Sequence, residues 1–304
     1  MSLQVLGIYR EVEFSPGKVG ADRAIMDAAL DCLRARGART AALEAPAFVS
    51  SSAELPDTQL VLAMCQGGEA LARLAAVEKA GAVVINSALA IRNCYRDLLG
   101  LGLSNARVPT PAGAVVQTHA PYFSSPGGSA APLSRLEPVP RLGLTASQPL
   151  DLSRPMYVKR GDMHALAEDD VSRVDGGAQL EAALRRFAQR GIAQAYVQQE
   201  AEGIVIKFYG VGNGQEYFST LAADGLQLPE EVRRELVSAA GRGAKALGLE
   251  VWGGDAVIGA GGLSVIDFND WPSFERVRAA AAPAIARRGL DCWRRHVAER
   301  DVAV

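Results

Sequence analysis

The chain has 304 residues, 49% of them hydrophobic and 22% charged, a composition typical of soluble enzymes and sufficient for two or three packed lobes. Its net charge of −2, without a basic tract, argues against nucleic acid or an acidic membrane as a partner. Its cysteines lie far apart, no apolar run is long enough to cross a bilayer, and the N-terminus lacks a cleavable signal pattern. We therefore expect a cytoplasmic protein with reduced thiols.

Residues 1–88 alternate between apolar strand segments and amphipathic helices. The predicted strands are LQVLGIY, TAALEA, TQLVLAMC and AVVIN, and the main helices are ADRAIMDAALDCLRARG and GGEALARLAAVEKAG. Strands that alternate with helices favour a parallel, doubly wound sheet. We predict an N-terminal α/β domain over 1–88.

The region 89–200 is predicted to form a second lobe. A helix, SALAIRNCYRDLLGLGL, leads into an extended segment at the Pro-x-Pro of VPTPAGAVV. Residues 119–154 are rich in Pro, Gly and Ser, which is long for a structureless loop inside a domain and predicts a mobile lid or a poorly ordered insertion. The strand PMYVKRG, the helix QLEAALRRFAQRG and the strand AQAYVQQEAEG follow.

The region 201–304 is predicted to form a third lobe. IVIKFYGVGNGQEYFSTL is predicted as a long strand or a hairpin that turns at Asn213-Gly214. A helix, LPEEVRRELVSAAGRGAKALG, precedes the hairpin EVWGGDAVIGAGGLSVIDFND. The last predicted helix runs from about Phe274 to Val297.

The predicted hairpin gathers oxygen-bearing side chains. Asp267 and Asn269 are two positions apart on one strand and therefore point the same way, and Asp255 can lie opposite them on the other strand. Oxygen ligands without Cys or His suit Mg²⁺ or Mn²⁺, and Mg²⁺ typically takes only one or two carboxylates and completes its shell with phosphate and water. The pattern indicates a metal-bound phosphate ligand, and a solvent-facing pair of acids at a strand end is the alternative.

Two lysines stand on the predicted strands upstream of this hairpin. Lys159 ends PMYVKRG, and Lys207 lies within IVIKFYGVG, just after a short linker. A lone strand lysine commonly extends its ammonium from a sheet edge into water. Two such lysines, flanked by a linker and followed by the acidic hairpin, are less easily explained in this way.

These elements, taken in chain order, resemble the ATP-grasp superfamily, in particular carboxylate–amine or carboxylate–thiol ligases similar to the ribosomal protein S6 glutamate ligases. PMYVKRG is similar to the strand whose lysine contacts the ATP phosphates, and YVQQEAEG to the hinge that binds adenine and ribose. IVIKFYGVG resembles the strand after the hinge, and GGDAVIG with VIDFNDWPS resembles the metal-binding hairpin. The match covers 89–275 and implies a two-lobed ATP-grasp fold, with α+β lobes and antiparallel sheets, after the N-terminal domain.

The resemblance implies a role for each matching residue. The catalytic residues would be Lys159, Lys207 and Arg96, which stands where the family often has a lysine. One or two Mg²⁺ or Mn²⁺ ions would be held by Asp255, Asp267 and Asn269. ATP would be bound by Lys159, Lys207, Gln198, Gln199, Glu200, Ala201 and Glu202, with the choice of Glu200 or Glu202 for the ribose left open.

The segment after the strand lysine departs from the family pattern. Many members carry a glycine-rich flap there, whereas KRGDMHALAEDD has a single glycine. Arg160, Asp162 and His164 are expected to replace the flap with side-chain contacts to the cofactor, and an ordinary loop histidine is the alternative for His164. The acceptor is expected between the first domain and the two lobes, near Lys18, Ser273 or Arg160. The backbone N–H groups of the turn at 66–68 could also bind an anion, but a tight turn needed for packing is the favoured interpretation.

Two reactions are compatible with the resemblance. A ligase uses ATP to activate a carboxylate as an acyl phosphate for attack by an amine, and a kinase of the inositol-phosphate type phosphorylates a hydroxyl. Because ligases dominate the family, we expect a carbon–nitrogen ligase, with the kinase and a nucleotide-binding protein without chemistry as alternatives. The implied partners are small-molecule or peptide carboxylate and amine substrates, without nucleic acid or membrane, and a second copy of the chain in a homodimer.

Overall fold

A computed structural model of the chain describes residues 2–51, 58–118, 150–212, 214, 216–222 and 226–302. In this part of the chain the strands form three four-stranded sheets, the first parallel and the other two antiparallel. The architecture confirms the predicted fold class, a parallel α/β domain followed by two antiparallel α+β lobes. Most of the predicted insertion at 119–154, and Asn213 of the predicted turn, lie outside the described residues.

The first sheet has the strand order β2-β1-β3-β4, with every neighbouring pair parallel. Its strands are β1 Gln4–Tyr9, β2 Arg39–Glu44, β3 Leu60–Ala63 and β4 Val83–Ile85. Successive side chains of β1 enter different cores: Val5 packs in the core that contains the first helix, and Leu6 packs in the core on the opposite face. Helices therefore cover both faces, as in other doubly wound sheets.

The helices around the first sheet come from both ends of the chain. One face is covered by α1 Val19–Arg34 together with α8 Arg278–Val302, and the other by α2 Ala45–Ser50, α3 Gly68–Lys79 and α4 Ala88–Asn93. The long helix α8 supplies the buried run from Ala281 to Ala286 to the core of the first sheet. The division at residues 88 and 200 remains a proposal, because the packing of α8 crosses it.

The second sheet has the strand order β5-β8-β6-β7. Its elements are β5 Gly113–Gln117, β6 Pro155–Arg160, β7 Val171–Asp175, α6 Gly177–Gln189 and β8 Gln194–Gln199. The apolar face of α6, with Leu180, Leu184 and Phe187, packs on Met156 and Val158 of the sheet. This core is separate from the others, so the second sheet and α6 form a small lobe of their own.

The third sheet has the strand order β10-β9-β11-β12, and all its neighbouring strands are antiparallel. Its strands are β9 Ile204–Val211, β10 Tyr217–Ala222, β11 Val251–Gly259 and β12 Gly262–Asp270. Two helices, α5 Arg96–Asn105 and α7 Glu230–Leu247, pack on it through a core centred on Phe208, Trp252 and Phe268. The helix predicted from Ser87 is divided into α4 and α5 around Cys94 and Tyr95. No helix of the described ranges is long and apolar enough to span a membrane.

Asn86, at the end of β4, joins the first sheet to the third. Its fully buried side chain donates from Nδ2 to the carbonyl of Val251 at 2.7 Å, and its Oδ1 accepts from the N–H groups of Glu250 and Val251 at 2.8 and 3.0 Å. One amide side chain therefore satisfies three backbone groups where β11 begins. The first and third sheets are fixed relative to each other by this contact and by the core they share with α8.

We expect Asn86→Ala to lower the free energy of unfolding by about 3 kcal/mol, because it leaves buried backbone groups without partners. Urea unfolding followed by circular dichroism measures the change. Asn93→Ala, which removes the single bond from Nδ2 to the Leu247 carbonyl, is the matched control and should cost about 1 kcal/mol. Equal losses in the two variants would contradict a special role of Asn86 in joining the sheets.

Candidate functional site

The hairpin of β11 and β12 is irregular at the point where its acids stand. Asp255 pairs with Asp267 and Gly253 with Asn269, but Ala256 pairs with Val265, so Ile266 is an extra residue on β12. A bulge of this kind reverses the alternation of side chains. Val265 and Phe268 can thus both be buried in the core while Asp267 and Asn269 are turned to the other face.

Three charged side chains form a row across neighbouring strands of the third sheet. Asp255 on β11 pairs with Asp267 on β12 and with Lys207 on β9, so the three side chains share one face. The ammonium of Lys207 lies 3.0 Å from Asp255 Oδ1. The structure therefore brings together both predicted carboxylates and one of the predicted lysines.

The second predicted lysine reaches this row from the second sheet. Lys159 is 7% exposed, and its Nζ donates to Gln198 Oε1 at 2.8 Å and across the interface to the carbonyl of Ile266, the bulged residue, at 2.9 Å. Burial lowers the pKa of Lys159 to about 8, against the opposing effect of Asp267. The lysine links the two antiparallel sheets at the predicted phosphate site.

Arg96, the first residue of α5, completes the charged cluster. Its guanidinium lies 3.8 Å from Asp267 Oδ2 and donates to the carbonyl of Arg160 at 3.4 Å. Burial raises the pKa of Asp267, but Arg96, Lys159 and His164 together outweigh that effect and hold the pKa below its usual value. The pKa of Asp255 is raised, by burial first and by Asp267 next, despite the neighbouring Lys207.

The donor set fits a small hard cation. Asp255 and Asp267 are part-exposed, at 26% and 20% of their side-chain surface, and the amide of Asn269 is on the same face one row further along. Within the described ranges, this site included, no group of three His, Cys, Asp or Glu side chains could hold a metal, so the third protein ligand here would be the amide of Asn269. Two carboxylates with an amide oxygen match Mg²⁺, which keeps several positions for phosphate and water.

The space between the cations and acids is small. A cavity of about 10 Å³, lined by Arg96, Lys159 and Asp267, lies between α5 and the two antiparallel sheets. Such a volume holds about one water molecule. The cavity between these three side chains is therefore too small for a triphosphate chain.

The predicted hinge borders a larger cavity of about 580 Å³, which is also lined by the turn between β11 and β12. Gln199 is bonded to local backbone, through Oε1 to the N–H of Asp151 and through Nε2 to the carbonyl of Pro155. Glu200 forms a two-point ion pair with Arg173 at 2.9 and 3.0 Å. Glu202 is exposed and lines the cavity, so it is the less constrained of the two acids.

Other predicted residues lie at the margins. Arg160 is held by Asp162 at 2.6 and 3.1 Å and lies 3.8 Å from Asp170. Lys18 is exposed at the start of α1, and Ser273 is half-buried after β12. Within the described ranges neither Lys18 nor Ser273 makes a hydrogen bond to the charged cluster.

The turn before α3, which was considered as a site for a substrate anion, already binds a carboxylate of the chain itself. Glu11 accepts from the N–H groups of Gln66 and Gly67 at 3.0 Å each. The negative charge of Glu11 compensates the positive end of the α3 dipole, which explains why an acid is favourable at this position. A substrate anion at these two donors would have to displace Glu11.

Sequence reasoning missed the residue that follows Asn269. Asp270 is 1% exposed and contacts Gln66, Arg10 and His164, which come from three distant parts of the chain. The available signal was the acid itself, because an aspartate next to an apolar strand is rarely buried without a partner. Its partners could not be identified without the fold.

Comparison with known proteins supports the architecture. No family model matches the chain, and no curated protein matches it in sequence. Among solved structures, D-alanine–D-alanine ligase from Bacillus anthracis in complex with ATP is similar with a TM-score of 0.69 at 13% identity, over 98% of this chain and 100% of that one. An ATP-grasp RimK domain protein from Sphaerobacter thermophilus DSM 20745 has a TM-score of 0.63 at 16% identity, over 94% of this chain and 99% of that one. The D-cycloserine synthetase DcsG has a TM-score of 0.63 at 14% identity, over 95% and 99% of the two chains. The similarity spans nearly the whole of each protein, so the chain has the fold of the ATP-grasp superfamily.

Proposed function

We propose that this protein is an ATP-dependent ligase that activates a carboxylate as an acyl phosphate and joins it to an amine. The observation that carries the proposal is the convergence of Lys159, Lys207 and Arg96 with Asp255 and Asp267 where the second and third sheets meet. Cations and hard oxygen ligands at one place suit a nucleotide polyphosphate with its metal.

The nucleotide would be held along the boundary of the two antiparallel lobes. Lys159, Lys207 and Arg96 would neutralise the phosphates, and Asp255, Asp267 and Asn269 would hold Mg²⁺, which when bound supplies charge stabilisation to the transferred phosphoryl group. The base would occupy the cavity at Gln199–Glu202, and we propose Glu202 for the ribose because Glu200 is paired with Arg173. Closure of the lobes on the bound nucleotide would exclude water from the acyl phosphate.

Ligation is preferred over phosphorylation of a hydroxyl because of the activities for which the similar proteins are named. One is a D-alanine–D-alanine ligase and another a D-cycloserine synthetase. At 13–16% identity these names support a reaction class and do not identify the substrates. A small-molecule or peptide carboxylate and an amine are the substrate classes we propose.

The test is release of ADP from Mg-ATP with a panel of amino acids, dipeptides and small carboxylates, each measured with and without an amine partner. We expect ADP release that requires both a carboxylate and an amine, and a product whose mass is the sum of the two minus water. ADP release with a polyol alone would replace the ligase by a kinase. If Mg-ATP failed to raise the melting temperature, nucleotide binding itself would be refuted.

A further inference from the structure

The ammonium of Lys207 already binds one of the two carboxylates proposed to hold the metal. It lies 3.0 Å from Asp255 Oδ1 in a hydrogen-bonded ion pair between the neighbouring strands β9 and β11. On its other side in the sheet Lys207 pairs with Leu221, which offers no charge. Among the described residues, Asp255 is therefore the acid that holds this lysine.

The second carboxylate also faces a cation. Arg96 lies 3.8 Å from Asp267 Oδ2. Lys159 donates instead to Gln198 Oε1 and to the carbonyl of Ile266. The cluster thus sets three cationic side chains against two carboxylates, so the negative charge of the acids is more than balanced by the chain itself.

This balance disfavours a divalent cation on Asp255 when no other anion is present. Mg²⁺ binds carboxylate oxygens at about 2.0–2.1 Å. An ion on Asp255 would therefore lie close to the ammonium of Lys207, which is 3.0 Å from an oxygen of the same carboxylate. Like charges this close repel each other strongly in a partly desolvated site. For a metal to be held tightly by Asp255, the ammonium has to move away.

Lys207 is able to move where its neighbour is not. Its side chain is 57% exposed, whereas Lys159 is 7% exposed and bonded to two sheets. A lysine carries its charge on a flexible stem of four carbons, so the ammonium of Lys207 can turn to another anion without disturbing the core. A polyphosphate attracts it more strongly than a single carboxylate, because it carries more negative charge.

We propose that Lys207 makes this site selective for a metal–nucleotide complex over the free metal. The proposal rests on the nucleotide site proposed above and adds a second role to the phosphate contact expected of this lysine. Without nucleotide the ammonium holds Asp255 and keeps divalent cations weakly bound. With nucleotide it turns to the phosphates and leaves the carboxylate free. Nucleotide and metal therefore strengthen each other's binding, by the same factor in both directions.

Lys207→Met tests the proposal because it removes the ammonium and keeps the length of the side chain. Mn²⁺ is the probe, and electron paramagnetic resonance measures the free ion. Without nucleotide, we expect the variant to bind Mn²⁺ about tenfold more tightly than the wild type. A lysine that only contacts phosphate would leave this affinity unchanged.

The opposite effect is expected for the nucleotide. Lys207→Met should bind a non-hydrolysable ATP analogue about tenfold more weakly in the presence of Mn²⁺. The gain in Mn²⁺ affinity that the analogue gives should also be smaller in the variant than in the wild type. Because Mn²⁺ binds the analogue in solution as well, the two proteins are compared at equal total concentrations.

Three further variants serve as controls. Lys207→Arg keeps the positive charge and should hold Mn²⁺ as weakly as the wild type when nucleotide is absent. The double variant Lys207→Met/Asp255→Asn should lose the gain in Mn²⁺ affinity, which would assign the additional ion to Asp255. Lys245→Met, an exposed lysine on α7 of the same lobe, should behave as wild type in both measurements.

Two results would contradict the proposal in different ways. If Lys207→Met, folded by its thermal melt, bound Mn²⁺ no more tightly than the wild type, the selective role of Lys207 would be overturned and the nucleotide site would stand. If the wild type failed to bind the ATP analogue at any Mn²⁺ concentration, the nucleotide site itself would be refuted, and this inference with it.

Discussion

Replacing Asp267 with Asn is expected to lower Mg-ATP-dependent ADP release by at least about a hundredfold. The substitution removes one of two carboxylates proposed to hold the metal and the acid that faces Arg96. The fold should persist, because the side chain is 20% exposed and an amide oxygen can still accept from the Phe268 N–H. Initial rates over a range of Mg²⁺ concentrations and a thermal melt of each protein provide the measurement.

Asp175→Asn is the matched control for this change. Asp175 also pairs with an arginine, Arg173, but lies at the end of β7 with 56% of its side chain exposed. Its replacement should leave ADP release near wild type, since an exposed ion pair contributes little. Turnover of Asp267→Asn within a few-fold of wild type would remove the metal assignment at the hairpin.

Lys159→Met is expected to have opposite effects on stability and on nucleotide binding. The pKa of Lys159 is lowered by burial to about 8, so the folded state is penalised whenever the ammonium is charged. This penalty is fully present below pH 8 and is relieved as the pH rises toward 10.5, the pKa of the lysine in the unfolded chain. The difference between the two pKa values corresponds to about 3 kcal/mol. The free energy of unfolding of the wild type should therefore rise relative to that of Lys159→Met between pH 8 and pH 10.5. Urea unfolding of both proteins at the two ends of this pH range measures the difference.

The same variant should lose the rise in melting temperature that Mg-ATP gives the wild type. Lys159 is the cation that bridges the second and third sheets, and methionine keeps its length without the charge. The parallel control is Lys79→Met at the end of α3, away from the cluster, which should keep the full response to Mg-ATP. Undiminished stabilisation of Lys159→Met by Mg-ATP would contradict a phosphate-binding role for this lysine.

Local patterns in the sequence were sufficient to predict the acidic hairpin and most strands of the sheets, although the edge strand β7 was not predicted. The alternation of strands and helices predicted the parallel domain, and the spacing of Asp255, Asp267 and Asn269 predicted their shared face. The bulge at Ile266 is also visible in the sequence. The apolar residues Val265 and Phe268 are three positions apart, which breaks the two-residue period of a regular strand. This irregular spacing indicates a bulge only when both residues are known to be buried.

Contacts between distant parts of the chain could not be predicted in the same way. Arg10 meets the carbonyl of Asp270 across 260 positions, and Gln66 meets its carboxylate across 204. Neither residue belongs to a motif. A buried acid needs a hydrogen-bond donor or a cation as its partner, but the sequence does not say which residue supplies it. The packing of α8 on the first sheet was missed for the same reason, because the helix pattern does not say which surface it covers.

That packing has a consequence for the order in which the protein is made. One face of the first sheet and of α1 is completed by Ala281, Ala282, Ala284, Ile285 and Ala286 of α8, which are synthesised long after the strands of that sheet. Until then Val5, Leu60 and their neighbours present an uncovered apolar surface, although their strands were synthesised long before. The first sheet can therefore bury this face only after helix α8 has been synthesised.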